Sequence, residues 1–332
     1  MPYIRLEGSL ILTYRCNARC NMCNVYKNPT RASEEIPLSV YEKLPRLDFC
    51  NITGGEPFIR AEIEEIVALM RRKARRIVIS TNGFFTDRIL ALGRRYPDLG
   101  FRVSLEGLPA TNDEIRGLNH GFDRGLRALV ELRALGVRDV GFAMTVQGRN
   151  ARDLLPLYHL SQQLGMQFAT ATLHNSHYFF KLDNKIEAGE IPAVAAEFER
   201  LIGEMLRSKD PKNWFRAYFN AGLINYIQGG KRPLPCRMGH HAFFLDPLGQ
   251  VLPCNGMAEP MPMGNLREQT WEEIWHSPRA EQTRAAVRAC ERQCWMIGSA
   301  SPAMKRQIWK PLGWIIRRKF FRNSARPIDP NR

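Results

Sequence analysis

Cys16, Cys20 and Cys23 stand at spacings of four and three, directly after an apolar run over residues 8–13 that reads as a strand. They put three thiolates on one short loop, with no fourth cysteine nearby. A structural zinc closes its shell with four ligands, and its thiolates usually come as two Cys-x2-Cys pairs. A four-iron cluster on three cysteines leaves one iron open, free to take a substrate or cofactor. The loop by itself admits either metal.

The chain beyond the loop sets the fold. A helix after Pro37 precedes an apolar run over residues 47–53, which ends in Gly54-Gly55-Glu56-Pro57. Ile63, Ile66, Val67 and Met70 recur at helical spacing before a strand at 76–80 and the turn Thr81-Asn82-Gly83. Helices at 87–95, 121–135 and 151–164 then alternate with strands at 101–105, 140–146 and 166–172. Six strands alternating with helices predict an α/β fold with a parallel sheet. Two glycines at a strand end permit close approach of backbone to a ligand, and Glu56 offers an acceptor for a cation there.

The cysteine loop and the Gly-Gly-Glu-Pro stretch about thirty residues later together resemble the radical S-adenosylmethionine superfamily. The resemblance implies a partial (β/α)6 TIM-like barrel with its chemistry at the carboxyl ends of the strands. It also implies a [4Fe-4S] cluster on Cys16, Cys20 and Cys23 whose open iron binds S-adenosylmethionine. One electron from that cluster breaks the sulfonium, and a 5′-deoxyadenosyl radical abstracts hydrogen from the substrate. By the same resemblance Gly54, Gly55, Glu56 and Pro57 contact the methionine part, while Ser80, Asn82, Ser104 and Arg116 reach ribose or carboxylate. Met22 replaces an aromatic residue common before the third cysteine and is expected to pack on adenine. Glu106 falls where relatives that take a proton from a substrate radical are often acidic. Past the last strand, His174, His177 and Tyr178, with two phenylalanines, are candidates for a pocket wall or catalytic contact.

Helices over about 191–208 and 214–227 lead to the break Gly229-Gly230-Lys231-Arg232-Pro233, where the sequence places a domain boundary. Beyond it come Cys236, a hairpin with strands at 242–245 and 249–252, Cys254, Gly264-Asn265-Leu266, a helix near Thr270, and Cys290 with Cys294. That order resembles the SPASM/twitch extension of radical S-adenosylmethionine enzymes, and four cysteines imply one auxiliary [4Fe-4S] cluster fully ligated by protein. Zinc is the alternative for four thiolates. Cys50, inside the second strand, reads as a buried small hydrophobe. The division expected is a barrel over residues 1–230 with a helical linker at 191–230, an auxiliary domain at 231–302, and a basic tail at 303–332.

Residues 303–326 carry eight Lys or Arg and no Asp or Glu, interleaved with Trp309, Trp314, Phe320 and Phe321. A helix from Pro311 puts Leu312, Ile315, Ile316 and Phe320 on one face, a pattern that suits either an anionic membrane surface or packing on the barrel. The net charge of +15 points to an anionic partner without choosing one, and no RNA-recognition motif accompanies the bases. With no secretory pattern and no apolar run near ~18 residues, the expectation is a cytoplasmic chain, where thiols stay reduced.

The function expected is hydrogen abstraction from a small or lipid-linked hydroxylated molecule, peripheral to the membrane, with a flavodoxin or ferredoxin as reductant. A peptide-modifying maturase is the alternative, set back by a barrel that begins by residue 8, where many maturases carry a leader-binding domain. A non-enzymatic zinc- and nucleic-acid-binding protein is the rival from another class.

Overall fold

The computed structural model describes residues 6–257 and 259–321. Strands and helices alternate from the start: β1 (Glu7–Ile11), α1 (Leu38–Tyr41), β2 (Phe49–Thr53), α2 (Ile63–Lys73), β3 (Ile77–Thr81), α3 (Thr86–Arg95) and β4 (Gly100–Ser104). Two helices follow, α4 (Pro109–Arg116) and α5 (Gly121–Ala134), then β5 (Asp139–Val146), α6 (Leu154–Gln163) and β6 (Gln167–Thr172). All six strands pair in parallel, with Leu10 opposite Ile52, Ile52 opposite Ile79, and Phe101 opposite Val140. Leu10, Ile52, Ile79, Phe101, Phe142 and Phe168 of these strands are fully buried in one cluster with helix residues such as Ile66, Met70 and Leu129. The six strands and their crossover helices form the parallel sheet that the alternation predicts, as the partial barrel implied by the resemblance requires. Cys50 is fully buried in the same cluster.

α4 was not anticipated, although Pro109 sits in its first turn and Gly117 closes it in the left-handed conformation. The helix expected over 151–164 begins instead as a 3-10 turn, Gly148–Asp153, and becomes α6 at Leu154. After the barrel, α7 (Ile191–Arg207) and α8 (Pro211–Ile227) pack as an antiparallel pair, and α8 starts three residues before the expected Trp214 because Asp210 caps it and Pro211 opens it.

The region beyond Gly230 does not stand apart from the barrel sheet. β7 (Ala242–Leu245) pairs in parallel with β1, matching Leu10 to Leu245, and β8 (Gln250–Leu252) and β9 (Gly264–Asn265) extend the same sheet antiparallel. The strand order is β6-β5-β4-β3-β2-β1-β7-β8-β9. Hairpin periodicity was readable; the partner of its first strand was not, because a buried edge such as β1 carries no mark of which chain covers it. Four helices complete the described chain: α9 (Trp271–Trp275), α10 (Pro278–Arg288), α11 (Ile297–Arg306) and α12 (Trp309–Phe320).

α12 corrects the reading of the basic tail. Its buried residues are Pro311, Trp314 and Ile315, facing α7 and α8, with Trp314 edge-on to Tyr218 at 5.6 Å. Of the face expected to be continuous, Ile315 turns inward while Ile316 and Phe320 turn out to solvent. Residues 322–332 of the tail lie outside the described residues. No helix among the described residues is long and apolar enough to cross a membrane.

The tightest approach of backbone to a glycine near the carboxyl ends is at Gly55. A Cβ there meets Arg15 O at 2.3 Å and Cys16 Cβ at 3.0 Å. Gly55→Ala is therefore expected to cost about 1–3 kcal/mol by overpacking and to displace the cysteine loop; thermal unfolding and iron content after reconstitution measure both, and an unchanged iron content contradicts the role given to this contact.

Candidate active site

Residues 12–24 leave β1 without regular structure, and three other segments fix them through backbone hydrogen bonds. From the end of β2, Gly55 N–H donates to Thr13 O at 2.7 Å and Glu56 N–H to Arg15 O at 2.9 Å. At the end of α4, Arg19 N–H donates to Arg116 O and Asn21 N–H to Ile115 O, both at 2.9 Å. Past β6, Asn24 N–H donates to Phe179 O at 2.7 Å. Beneath the loop, Glu35 is buried and accepts from Thr30 Oγ1 at 2.8 Å while pairing with Arg15 at 2.7 Å and Arg60 at 3.2 Å. The two glycines serve this frame: the close approach they allow is to the backbone of the cysteine loop itself.

Cys16, Cys20 and Cys23 are free thiols held as neighbours. Burial pushes Cys16 up to about 12 and Cys23 up to about 11, and raises Cys20 as well, with the Arg116 charge opposing the rise in each. Deprotonating three such thiols needs a compensating positive charge, which bound metal supplies. Among the described residues no three His, Cys, Asp or Glu side chains close on a point suited to a single ion. Three free thiols on one loop match the ligation of a four-iron cluster that leaves one iron open.

Two carboxylates lie at the strand ends, each enclosed. Glu56 accepts from Thr81 Oγ1 at 2.8 Å, Phe58 N–H at 3.1 Å and Asn82 N–H at 2.7 Å; burial raises its pKa and these donors oppose the rise. Three of about four acceptor positions on the carboxylate are thus taken by the chain's own neutral groups, where a cation was expected. Glu106 accepts from Arg116 Nη1 at 2.8 Å and Thr145 N–H at 2.6 Å. Burial raises its pKa, and Arg116 and Thr145 pull it back. Each oxygen accepts one hydrogen bond, so Glu106 holds Arg116 in place.

Arg116 and Asn17 carry the informative unpaired groups. Arg116 Nε and Asn17 Nδ2 are buried donors with no hydrogen-bond partner. Asn82, expected at the cofactor, spends its amide inside the chain: Nδ2 donates to Asn17 Oδ1 at 2.8 Å and Oδ1 accepts from Phe84 N–H at 3.0 Å. Its effect is to orient Asn17, which the sequence reading missed because a variable position between two cysteines carries no spacing signal. Ser80 Oγ donates to Asn51 Oδ1 at 3.0 Å, and Ser104 ends β4 half-buried. Leaving a buried donor unmade costs about 1–3 kcal/mol, so two of them beside the cysteine loop suit a ligand rich in acceptors. The carboxylate of S-adenosylmethionine meets that description.

The segment after β6 lies against both cysteine sets. Tyr178, a candidate for substrate contact, instead donates its hydroxyl to Gly54 O at 2.6 Å and lays its ring against Tyr14 and Phe179. His174 lies tilted against Phe179, ring centroids 5.0 Å apart, with Nδ1 3.2 Å from Thr172 O, and burial lowers its pKa. His177 opens the 3-10 turn His177–Phe179, half-buried. Asn184 Nδ2 donates to Met22 O at 3.0 Å, and Ser176 Oγ donates to Asn255 O, beside Cys254, at 2.7 Å. Met22 itself is half-buried at the loop.

Cys236, Cys254, Cys290 and Cys294 form the second set. Burial pushes Cys254 up to about 12, with Cys294, Cys236 and Cys290 near enough to add to the rise. Arg232 anchors the last pair: it donates to the Cys294 carbonyl, to Ser299 O at 2.8 Å and to Leu234 O at 2.7 Å, and it stacks on Trp295. Trp295 is fully buried and donates to Phe219 O at 2.9 Å, tying Cys294 to α8.

Two family models match the chain: the radical SAM superfamily over residues 10–160, and an iron-sulfur cluster-binding domain, SPASM, over residues 236–295. The chain belongs to the radical S-adenosylmethionine superfamily. The SPASM match spans all four cysteines of the second set and assigns them to iron-sulfur ligation in place of zinc. Among relatives, the Fe-coproporphyrin III synthase of Methanosarcina barkeri is 34% identical over 161 residues, which cover 46% of this chain and 40% of the synthase. The sporulation killing factor maturation protein SkfB of Bacillus subtilis is 22% identical over 304 residues, covering 87% of this chain and 69% of SkfB. Among solved structures, Streptococcus suis SuiB bound to precursor peptide SuiA aligns with a TM-score of 0.65 at 15% identity, over 86% of this chain and 67% of SuiB, a likeness of fold. Cofactors of this radical SAM enzyme are accordingly S-adenosylmethionine and a [4Fe-4S] cluster, with auxiliary iron-sulfur ligation in the SPASM region.

Glu106→Gln is expected to destabilise the fold by about 3 kcal/mol, because it leaves the buried Arg116 charge uncompensated, and to weaken S-adenosylmethionine binding. Calorimetric titration of the reconstituted protein tests this. A variant that binds the cofactor normally but fails only in turnover would return Glu106 to the role of a base.

Proposed function

We propose that this radical SAM enzyme modifies a polypeptide substrate by hydrogen abstraction and passes an electron to one auxiliary [4Fe-4S] cluster. Bound together, the first cluster and S-adenosylmethionine supply one-electron cleavage of the sulfonium and abstraction of a hydrogen atom. The chain's part is to hold and orient. Cys16, Cys20 and Cys23 would hold the first cluster and leave one iron for the cofactor, and Arg116 Nε and Asn17 Nδ2 would donate to its carboxylate; Gly54, held by Tyr178, fixes the strand end. Cys236, Cys254, Cys290 and Cys294 complete the auxiliary cluster.

One observation carries the two-cluster reading. A single segment bonds to both cysteine sets, through Asn184 to Met22 and through Ser176 to Asn255, so a substrate at the barrel's open end lies near each. The polypeptide substrate is favoured by SkfB, named as a maturation protein, and by SuiB, solved with a precursor peptide. These support a peptide better than the small or lipid-linked hydroxylated molecule. A flavodoxin or ferredoxin is the electron donor in this proposal, and the cytoplasm its setting.

Anaerobically reconstituted protein is expected to hold about eight irons, and to release 5′-deoxyadenosine from S-adenosylmethionine under dithionite. Changing Cys16, Cys20 and Cys23 to Ala should leave about four irons and abolish release. To test the substrate class, reactions are run with perdeuterated cell extract split into a peptide fraction and a lipid fraction. Deuterium in 5′-deoxyadenosine from the peptide fraction alone supports the proposal. Label from the lipid fraction alone overturns it in favour of the lipid-linked reading.

A further inference from the structure

α12 has two apolar faces, and among the described residues only one is packed. Pro311, Trp314 and Ile315 pack inward, and Arg318 on the same side pairs with Glu199 and lies over Trp314. On the opposite face Trp309, Ile316 and Phe320 remain exposed, at 80%, 49% and 67%. Their spacing of seven and four residues aligns them along one side of the helix, a ridge about 16 Å long at 1.5 Å per residue. Gly313 falls in the same row, with nothing within 4 Å of the place its Cβ would occupy.

Such a row on a folded domain calls for a partner. Exposed Lys310 and Arg317 run alongside, and no acidic residue occurs between positions 303 and 326. An aromatic and aliphatic ridge on a convex helix surface, with tryptophan at one end and long basic side chains beside it, fits the headgroup and upper acyl region of an anionic bilayer. A groove-forming protein partner would have no need of the bordering cations, and single-stranded nucleic acid is gripped by aromatics set in a positively charged groove. The net charge of +15 adds long-range attraction to the same surface.

We propose that the outer face of α12, with Trp309, Ile316 and Phe320 inserted and Lys310 and Arg317 at the headgroups, docks this chain on anionic phospholipid membranes. α12 is anchored through its other face to α7 and α8, and Lys319 Nζ donates to Leu206 O, so the ridge can engage lipid while the helix stays packed on the barrel. Docking is independent of the substrate the enzyme modifies.

The test is flotation of the full-length chain with vesicles of phosphatidylcholine containing phosphatidylglycerol, and with vesicles of phosphatidylcholine alone. Binding to the anionic vesicles is expected at low salt, with at least roughly tenfold weaker binding to the neutral ones. Trp309→Ser with Phe320→Ser is expected to weaken anionic-vesicle binding by about tenfold or more. Gly313→Leu, which lengthens the ridge into open space, should strengthen it. Both variants should keep the wild-type thermal midpoint and substrate-free release of 5′-deoxyadenosine, since the altered positions are distant from the cysteine loop in sequence and outward-facing. Flotation that is absent in the wild type, or unchanged in the double variant, overturns the proposal. So does loss of RNA binding in that variant without any vesicle binding in the wild type, which would assign the ridge to nucleic acid.

Discussion

Gly55 has no room for a side chain because the backbone of the cysteine loop occupies that space, with Arg15 O only 2.3 Å from where a Cβ would be. This contact joins the end of β2 to the loop leaving β1, and it lets Gly55 and Glu56 donate their N–H groups to Thr13 and Arg15. Three thiols on an otherwise irregular segment would be too mobile to present one geometry to a cluster. Strapped to β2, to the end of α4 and to the segment after β6, they are held by rigid elements, as precise ligation requires. Gly117 serves the same frame from the α4 side, where a Cβ would meet Arg19 O at 2.9 Å.

Charge is arranged to suit this frame. Glu106 and Arg116 form a buried pair, and Glu35 gathers Arg15 and Arg60 below the loop. Buried pairs contribute little net stability once desolvation is counted, so orientation is the better account of their presence. Arg116 illustrates the point: one nitrogen is fixed by Glu106 while Nε stays unpartnered beside the cysteines. Asn17 is held in the same manner through Asn82. The chain thus positions buried donors that a bound ligand rich in acceptors would complete.

Much of this was legible in the sequence because it depends on local pattern. Strand and helix alternation gave the parallel six-stranded core, and cysteine spacing marked both metal sets. What escaped depends on contacts between distant segments. Nothing in residues 242–245 announces that they pair with β1 and join the hairpin to the barrel. Tyr178 looked like a pocket residue from its aromatic neighbours, yet its hydroxyl reaches Gly54, 124 positions away. Glu106 has an acidic side chain at a plausible catalytic place, and only the fold reveals that Arg116, ten residues on, claims it. In α12 the apolar residues were correctly seen as amphipathic, but the helix divides them between two faces, a split that depends on where α7 and α8 lie.

The proposal for the site depends on three cysteines leaving one iron open beside the buried donors Arg116 Nε and Asn17 Nδ2. The most direct measurement is electron paramagnetic resonance of dithionite-reduced protein in which Cys236, Cys254, Cys290 and Cys294 are changed to Ala, so that only the first cluster remains. Adding S-adenosylmethionine should shift the reduced four-iron spectrum, and Arg116→Lys in the same background should raise the cofactor concentration required for the shift. A reduced four-iron spectrum that S-adenosylmethionine leaves unchanged would contradict the account.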